Sequence, residues 1–266
     1  MDLSSFRIRL ANKVGRLLGR ATESDNLAEY WISNADAKTL EGGYDSDLAR
    51  LFFQNQGRVI HKWLHYFEIY EQYFSRFRGS DFKMLEIGVS KGGSLAMWRS
   101  YFGPRATIYG IDVNPDCAGY VDGPNQVRIG SQDDPDFLRR VVKEMGGIDV
   151  VLDDGSHVAR HQQTSFETLF PLLNERGLYA IEDLHTAYWP NYGGGYGRQG
   201  SAIELLKRSV DDIHHWYHPH PPAAGGADVA AVHFHDSIAV VEKGGARRPI
   251  HAQMGRKEDL LNPGDS

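Results

Sequence analysis

Two segments of this chain end in paired acids. Residues 148–157 (IDVVLDDGSH) pass from Ile148, Val150, Val151 and Leu152 into Asp153, Asp154 and Gly155, with His157 three residues past Asp154. Residues 177–183 (GLYAIED) finish on Glu182 and Asp183. Carboxylates are hard oxygen donors, and a set of them without thiolates selects Mg²⁺, with Mn²⁺ and Ca²⁺ close behind. Asp154, Glu182 and Asp183 are the candidate metal ligands. Asp153 competes with Asp154, since neighbouring strand residues point to opposite faces. A histidine beside such a cation titrates in the range of a base at neutral pH. That combination suits activation of a poor nucleophile such as an alcohol: the cation lowers the pKa of the oxygen and His157 removes the proton. His185, two residues beyond Asp183, is a reserve base. Singly, acids at strand ends are commonly turn formers or helix caps. Two acid pairs at one sheet edge ask for more.

The elements that must position them read as alternating strands and helices. Apolar runs predict strands at 83–89, 107–113, 126–129, 148–152 and 178–181, with helices at 92–102, 135–145 and 159–173 between them. Such alternation implies a parallel, doubly wound sheet, with ligands at the carboxyl ends of its strands. A helix follows at 201–217, then a Pro/Gly/Ala break at 219–228, then strands at 229–235 and 237–242 joined so closely that they form an antiparallel hairpin. Before the sheet, residues 58–77 place Trp63, Phe67, Tyr70 and Phe74 at helical spacing, predicting one amphipathic helix with an aromatic core stripe. Its polar members His61, Lys62 and His65 read as a solvated face first and as residues reaching a ligand second. A short helix is expected over 46–53. The organisation expected is an arm or cap over 1–50, a catalytic domain over 51–243 and a polar tail over 244–266.

Residues 85–94 (LEIGVSKGGS) join the first strand to its helix. Gly88 and Gly92 permit a tight turn and close approach of a ligand. Asp112, at the end of the second strand, is placed to accept hydrogen bonds from ribose hydroxyls. The loop lacks the close glycine pair of a dinucleotide fingerprint, and Glu86 would repel phosphates. It suits the cationic sulfonium and ammonium of S-adenosylmethionine, and Ser131 and Gln132 follow the third strand on the same side.

Composition excludes several classes. The chain has 266 residues, is 41% hydrophobic and 24% charged, and carries a net charge of −6, which gives no basic surface for nucleic acid. The single Cys117 excludes an intramolecular disulfide and fits a reducing cytoplasm. No apolar run reaches membrane-spanning length. Residues 1–20 mix Arg and Lys with Phe6, Ile8, Leu10, Val14, Leu17 and Leu18, as in an amphipathic helix that packs as an arm or touches a membrane surface. Burial of these N-terminal helices leads to the expectation of a homo-oligomer.

The segments LEIGVSKGGS, IYGIDVNP, VLDDGSH, IEDLHTAYW and HFHDSIAVVEKG resemble metal-dependent class I methyltransferases that act on sugar hydroxyls. The pattern is that of macrolide deoxysugar O-methyltransferases of the mycinamicin and tylosin type, and of rhamnosyl and mannosyl O-methyltransferases. The resemblance covers about residues 50–243. It implies an α/β, Rossmann-like seven-stranded class I methyltransferase sheet with an antiparallel C-terminal hairpin, and a helical N-terminal extension. It further implies Mg²⁺ on Asp154, Glu182 and Asp183, His157 as general base, and S-adenosylmethionine lined by Glu86, Gly88, Ser94, Asp112, Ser131 and Gln132. The acceptor would be a small-molecule glycoside or an oligosaccharide, covered by the aromatic loop 188–196. Other readings are a catechol-type O-methyltransferase, which usually completes its metal site with an Asp-Asn pair, a dinucleotide dehydrogenase, and a non-catalytic nucleoside-binding module.

Overall fold

The computed structural model describes residues 32–120, 125–222, 226–244 and 248–256. The amphipathic segment at 1–20 lies outside them. Helices α1 (Asn34–Thr39), α2 (Asp47–Phe53) and α3 (Tyr66–Phe74) precede the sheet. The sheet region runs β1 (Lys83–Ile87), α4 (Gly93–Phe102), β2 (Thr107–Asp112), β3 (Gln126–Ile129), α5 (Pro135–Met145), β4 (Ile148–Asp153), α6 (Ala159–Leu169), β5 (Leu173–Ile181), α7 (Ala202–Ile213), β6 (Val229–His235) and β7 (Ile238–Lys243). The seven strands lie in the order β3-β2-β1-β4-β5-β7-β6. The first five pair in parallel, and β7 enters antiparallel between β5 and β6. Among the described residues no helix is long and apolar enough to cross a membrane.

Both faces of the sheet's central strands are buried, so β1, β4, β7 and the latter half of β5 read as apolar runs. Met84, Val150, Leu152, Leu178 and Ala180 face α2, α3 and α4. Leu85, Val151, Tyr179 and Ile181 face α5, α6 and α7. Helix ends follow local chemistry. Asp134 caps α5 by accepting from Asp136 N and Phe137 N, Pro135 occupies its first turn, and Gly146 ends it in the left-handed conformation. Helix α2 runs across residue 50, and its Leu48 and Ala49 belong to the same core as the sheet.

The helix expected over 58–77 is shorter. Residues 58–65 form an irregular strap, α3 begins at Tyr66, and a 3₁₀ turn covers Ser75–Phe77. Helical spacing of the aromatics is satisfied by α3 alone, which buries Tyr66, Phe67, Tyr70 and Phe74. The strap instead crosses the start of α4, where Gly93 has no Cβ to clash with the carbonyls of Arg58 and Val59. Because α3 is buried within its own chain, it needs no partner subunit to cover it.

Strand order reverses between β1 and β4, which is where a doubly wound sheet opens a crevice. Ladder bonds continue just past the strand ends: Asp154 N donates to Ile87 O at 3.0 Å, and Glu182 N to Asp153 O at 3.0 Å. This fixes Gly88, Asp154 and Glu182 side by side at that crevice.

Candidate active site

Register decides which acids meet. Glu86, Asp154 and Glu182 share the pleat parity of Met84, Leu152 and Ala180, so all three project on the α3–α4 face. Asp153 projects to the other face. It is fully buried and accepts from Ser165 Oγ at 2.6 Å, Gln132 Nε2 at 3.0 Å and Tyr179 OH at 3.1 Å. Burial raises its pKa against these hydrogen bonds. Asp153 is therefore a core anchor that braces β4 against α6, and Asp154 is the acid presented to the crevice.

Asp154, His157 and Asp183 each offer one ligand atom, all within 4.8 Å of one another. His157 Nε2 lies 3.6 Å from Asp183 Oδ2 and 3.9 Å from Asp154 Oδ1. Its Nδ1 is buried and has no hydrogen-bond partner among the described residues. His157 and Asp183 both adopt the left-handed conformation, at φ 57° and 56°. Non-glycine residues held there concentrate at functional sites, and Asp and His tolerate it better than most.

Sequence reasoning missed the side chains that hold these acids. Read as solvated, Lys62 is buried instead: its ammonium donates to Asp154 Oδ2 at 2.5 Å and reaches both Glu182 oxygens at 2.8 and 2.9 Å. The Tyr70 hydroxyl also donates to Glu182 Oε1. Trp63 Nε1 donates to Asp183 Oδ1 at 3.1 Å, and the Tyr66 hydroxyl lies 2.9 Å from the same oxygen. The strap and α3 thus supply the partners of two adjacent acids. Burial alone would lower the pKa of Lys62, but Asp154, Glu182 and Glu86 outweigh it and hold the ammonium charged. Burial, followed by the charge of Asp154, pushes Glu182 well above the usual carboxylate range. The signal available in the sequence was a lysine embedded in an otherwise aromatic run, His61-Lys62-Trp63.

A cavity of about 240 Å³ opens over this cluster. Gly88, Ser90 and Ser94 form one wall, the strap from Val59 to Trp63 another, and Asp154, His157, Glu182 and Asp183 the floor. Gly88 sits at φ 93°, and a Cβ there would collide with the carbonyl oxygen of Asp154. The two loops can therefore touch only at glycine.

The other residues expected at a cofactor stand behind the wall. Asp112 Oδ2 accepts from Val89 N and Ser90 N, each at 2.9 Å, and its Oδ1 accepts from Asn114 N at 2.8 Å. Its carboxylate shapes the glycine loop. Ser131 Oγ accepts from Asp133 N at 3.1 Å. Gln132 donates to Asp153 and accepts from Ser156 N at 2.7 Å, so its amide is turned inward to brace the loop that carries His157. Asp112, Ser131 and Gln132 are not among the residues lining the cavity. Glu86 lies beneath it, fully buried, accepting from Ser94 Oγ at 2.9 Å and Trp98 Nε1 at 3.1 Å. His185 is held by Ser237, with its Nδ1 2.5 Å from Ser237 Oγ, and it packs edge-on against Trp63 and Trp189. Burial lowers its pKa. Tyr188 and Tyr196, in the loop beyond, are exposed.

Burial raises the pKa of Glu86 from 4.5 to about 7, against the pull of Lys62 and of its hydrogen bond from Trp98. The folded chain then holds a proton that the unfolded chain releases between those values, so stability falls as pH rises through that window. The effect amounts to roughly 3 kcal/mol across it. Urea denaturation of Glu86→Gln in EDTA at pH 5 and at pH 7.5 is expected to show a smaller loss between the two than the parent. An equal loss removes Glu86 as the source.

Comparison with known proteins places these features. Residues 85–184 match the model of a methyltransferase domain. The 8-demethyl-8-(2-methoxy-alpha-L-rhamnosyl)-tetracenomycin-C 3'-O-methyltransferase of Streptomyces olivaceus is 44% identical over 216 residues, which are 74% of this chain and 54% of the relative. The mycinamicin VI 2''-O-methyltransferase of Micromonospora griseorubida is 40% identical over 200 residues, 68% of this chain and 49% of the relative. A solved structure of the MycE methyltransferase from the mycinamycin biosynthetic pathway, in complex with Mg, SAH and mycinamycin VI, superposes with a TM-score of 0.66 at 32% identity, covering 81% of this chain and 62% of that one. The chain spans about half the length of the curated relatives it matches.

Proposed function

We propose that this chain, which has the fold of class I methyltransferases and matches a methyltransferase domain over residues 85–184, transfers a methyl group from S-adenosylmethionine to a hydroxyl of a sugar, with Mg²⁺ as second cofactor, as the names of the sugar O-methyltransferases it resembles over about half their length support. The observation that carries this is the meeting of Asp154, His157 and Asp183, with Glu182 beside them, under the Gly88 loop at the strand-order reversal.

The donor set suits a divalent cation: two carboxylates, Asp154 and Asp183, and the His157 imidazole come within 4.8 Å of one another, Glu182 lies beside them, and no sulfur is among them. Asp154, Glu182 and Asp183 are the residues that would hold it. When bound, the cation supplies the positive charge that lowers the pKa of an alcohol by several units, and S-adenosylmethionine supplies the methyl group as a sulfonium. The chain's own residues do the rest. His157 takes the hydroxyl proton on Nε2, the ring nitrogen that faces the crevice acids Asp154 and Asp183. Gly88 lets the cofactor loop lie against the Asp154 backbone. Asp112 holds that loop in shape and Glu86 braces the start of α4 through Ser94. Ser131 and Gln132 remain cofactor-site residues, and Gln132 also braces the loop that carries His157. Exposed Tyr188 and Tyr196 offer flat faces to a sugar ring. The names of the relatives support a deoxysugar on a polyketide-type small molecule, such as a rhamnosyl group, ahead of an oligosaccharide.

Cytoplasmic location and a homo-oligomeric state belong to the same proposal. The first is supported by the lone Cys117. The second draws on the first 31 residues, and light scattering measures it. The decisive test is calorimetric titration of S-adenosylmethionine and, separately, NAD, in Mg²⁺ and in EDTA. Binding of S-adenosylmethionine and not NAD is expected, followed by methylation of rhamnosyl acceptors in an acceptor screen. Binding of NAD alone, or of neither, overturns the reading.

A further inference from the structure

Lys62 brings a second cation into the acid cluster. Its side chain is 2% exposed, and its ammonium touches the same Asp154 and Glu182 carboxylates that the proposed function assigns to a divalent ion. Glu182 Oε1 takes the Tyr70 hydroxyl as well. A carboxylate oxygen engaged in a direct ion pair is a weaker donor to another cation, and two cations a few ångströms apart in a poorly solvated pocket repel strongly. Behind the pair stands Glu86, which adds to the attraction holding Lys62. No other lysine or arginine is paired with Asp154 or Glu182 among the described residues.

Resting on the reading of Asp154 and Glu182 as metal ligands, we propose that Lys62 is an internal competitor of the divalent cation: ammonium and metal contend for the same carboxylate oxygens, and a bound metal displaces the ammonium from Asp154. The site then binds metal more weakly than its acids would alone, and Lys62 sets the Mg²⁺ concentration at which it fills. A lysine that only neutralised and ordered the acids would act in the opposite direction, since its removal would loosen the ligands and weaken metal binding.

Calorimetric titration of Mg²⁺ into the parent, K62M and K62R separates the two. K62M is expected to bind Mg²⁺ at least about tenfold more tightly than the parent, with K62R close to the parent. Tight binding by K62M where the parent shows none supports the same conclusion more strongly. Equal or weaker binding by K62M, with parental binding intact, overturns the role of Lys62 and leaves the metal site standing. Absence of Mg²⁺ binding in both parent and K62M overturns the metal site and, with it, the competition. Should K62M fail to fold, the parent protein decides through amine acetylation read by mass spectrometry. Mg²⁺ is expected to raise labelling of Lys62 severalfold while exposed Lys143 is unchanged. Labelling of Lys62 that stays constant or falls overturns the proposal.

Discussion

If the chain is the methyltransferase proposed above, replacing His157 by asparagine is expected to lower methyl transfer by roughly 10²–10⁴-fold, the usual worth of a general base, while S-adenosylmethionine binds as in the parent. Asparagine is the informative substitution because His157 sits at φ 57°, where asparagine is comfortable and alanine is strained. The variant therefore keeps the backbone turn that carries Asp154 and removes only the imidazole. The geometry supports the size of the effect. Nε2 points into the crevice, 3.6 Å from Asp183 Oδ2 and 3.9 Å from Asp154 Oδ1, where an activated hydroxyl would lie. Single-turnover kinetics with a methylatable glycoside measures the loss. A loss below about tenfold transfers the role elsewhere, with His185 next in line.

Asp154→Asn is expected to remove Mg²⁺ binding from calorimetric titrations and to cost roughly 10³-fold in Mg²⁺-stimulated turnover, since charge stabilisation by a metal is worth several kcal/mol. Its control is the neighbouring acid. Asp153→Asn breaks into the network of Ser165, Tyr179 and Gln132 on the opposite face of the sheet. That variant is expected to lose roughly 1–3 kcal/mol of stability in urea denaturation and to keep its Mg²⁺ titration. Adjacent residues of the same chemistry would thus separate cleanly into a ligand and a core anchor. If Asp154→Asn retains Mg²⁺-stimulated turnover, the crevice acids are not the metal site.

The sheet was legible from the chain because its information is local. Apolar runs that end in Gly or Asp, a capping Asp134 before Pro135, and Gly146 after the last periodic residue of α5 each specify an element within a few residues of themselves. Strands β3 and β6 and helix α5 follow the expected bounds. Strand β5 begins earlier than its apolar run, at Leu173, because Leu173 pairs with Ile148 ahead of an irregularity that holds the exposed Asn174, Glu175 and Arg176. The candidate site was legible as a set of acids plus a histidine, and pleat parity alone distinguishes Asp154 from Asp153. What the chain concealed was everything set by long-range pairing. Lys62, Trp63, Tyr66 and Tyr70 hold the acids from more than ninety positions away in sequence, as the separation of 92 between Lys62 and Asp154 illustrates. Their spacing satisfies a helix as readily as it satisfies the strap and α3. Gln132 illustrates the converse. Its place after β3 says nothing of the buried carboxylate to which its amide donates, a partner that only the folded sheet brings near.

The antiparallel entry of β7 has a consequence for synthesis. The ribosome delivers β5 well before β7, so Leu178, Tyr179, Ala180 and Ile181, all fully buried in the finished sheet, spend part of translation on an open strand edge. Such an edge offers its unpaired N–H and C=O groups to any neighbouring chain. The hairpin that closes it also carries Ser237, whose carbonyl accepts from Leu184 N at 2.8 Å and lies 3.0 Å from the Tyr66 hydroxyl. Edge protection and completion of the acid cluster therefore happen in one late event. A nascent chain paused between β5 and β7 is both the species most exposed to aggregation and one whose site is still unfinished.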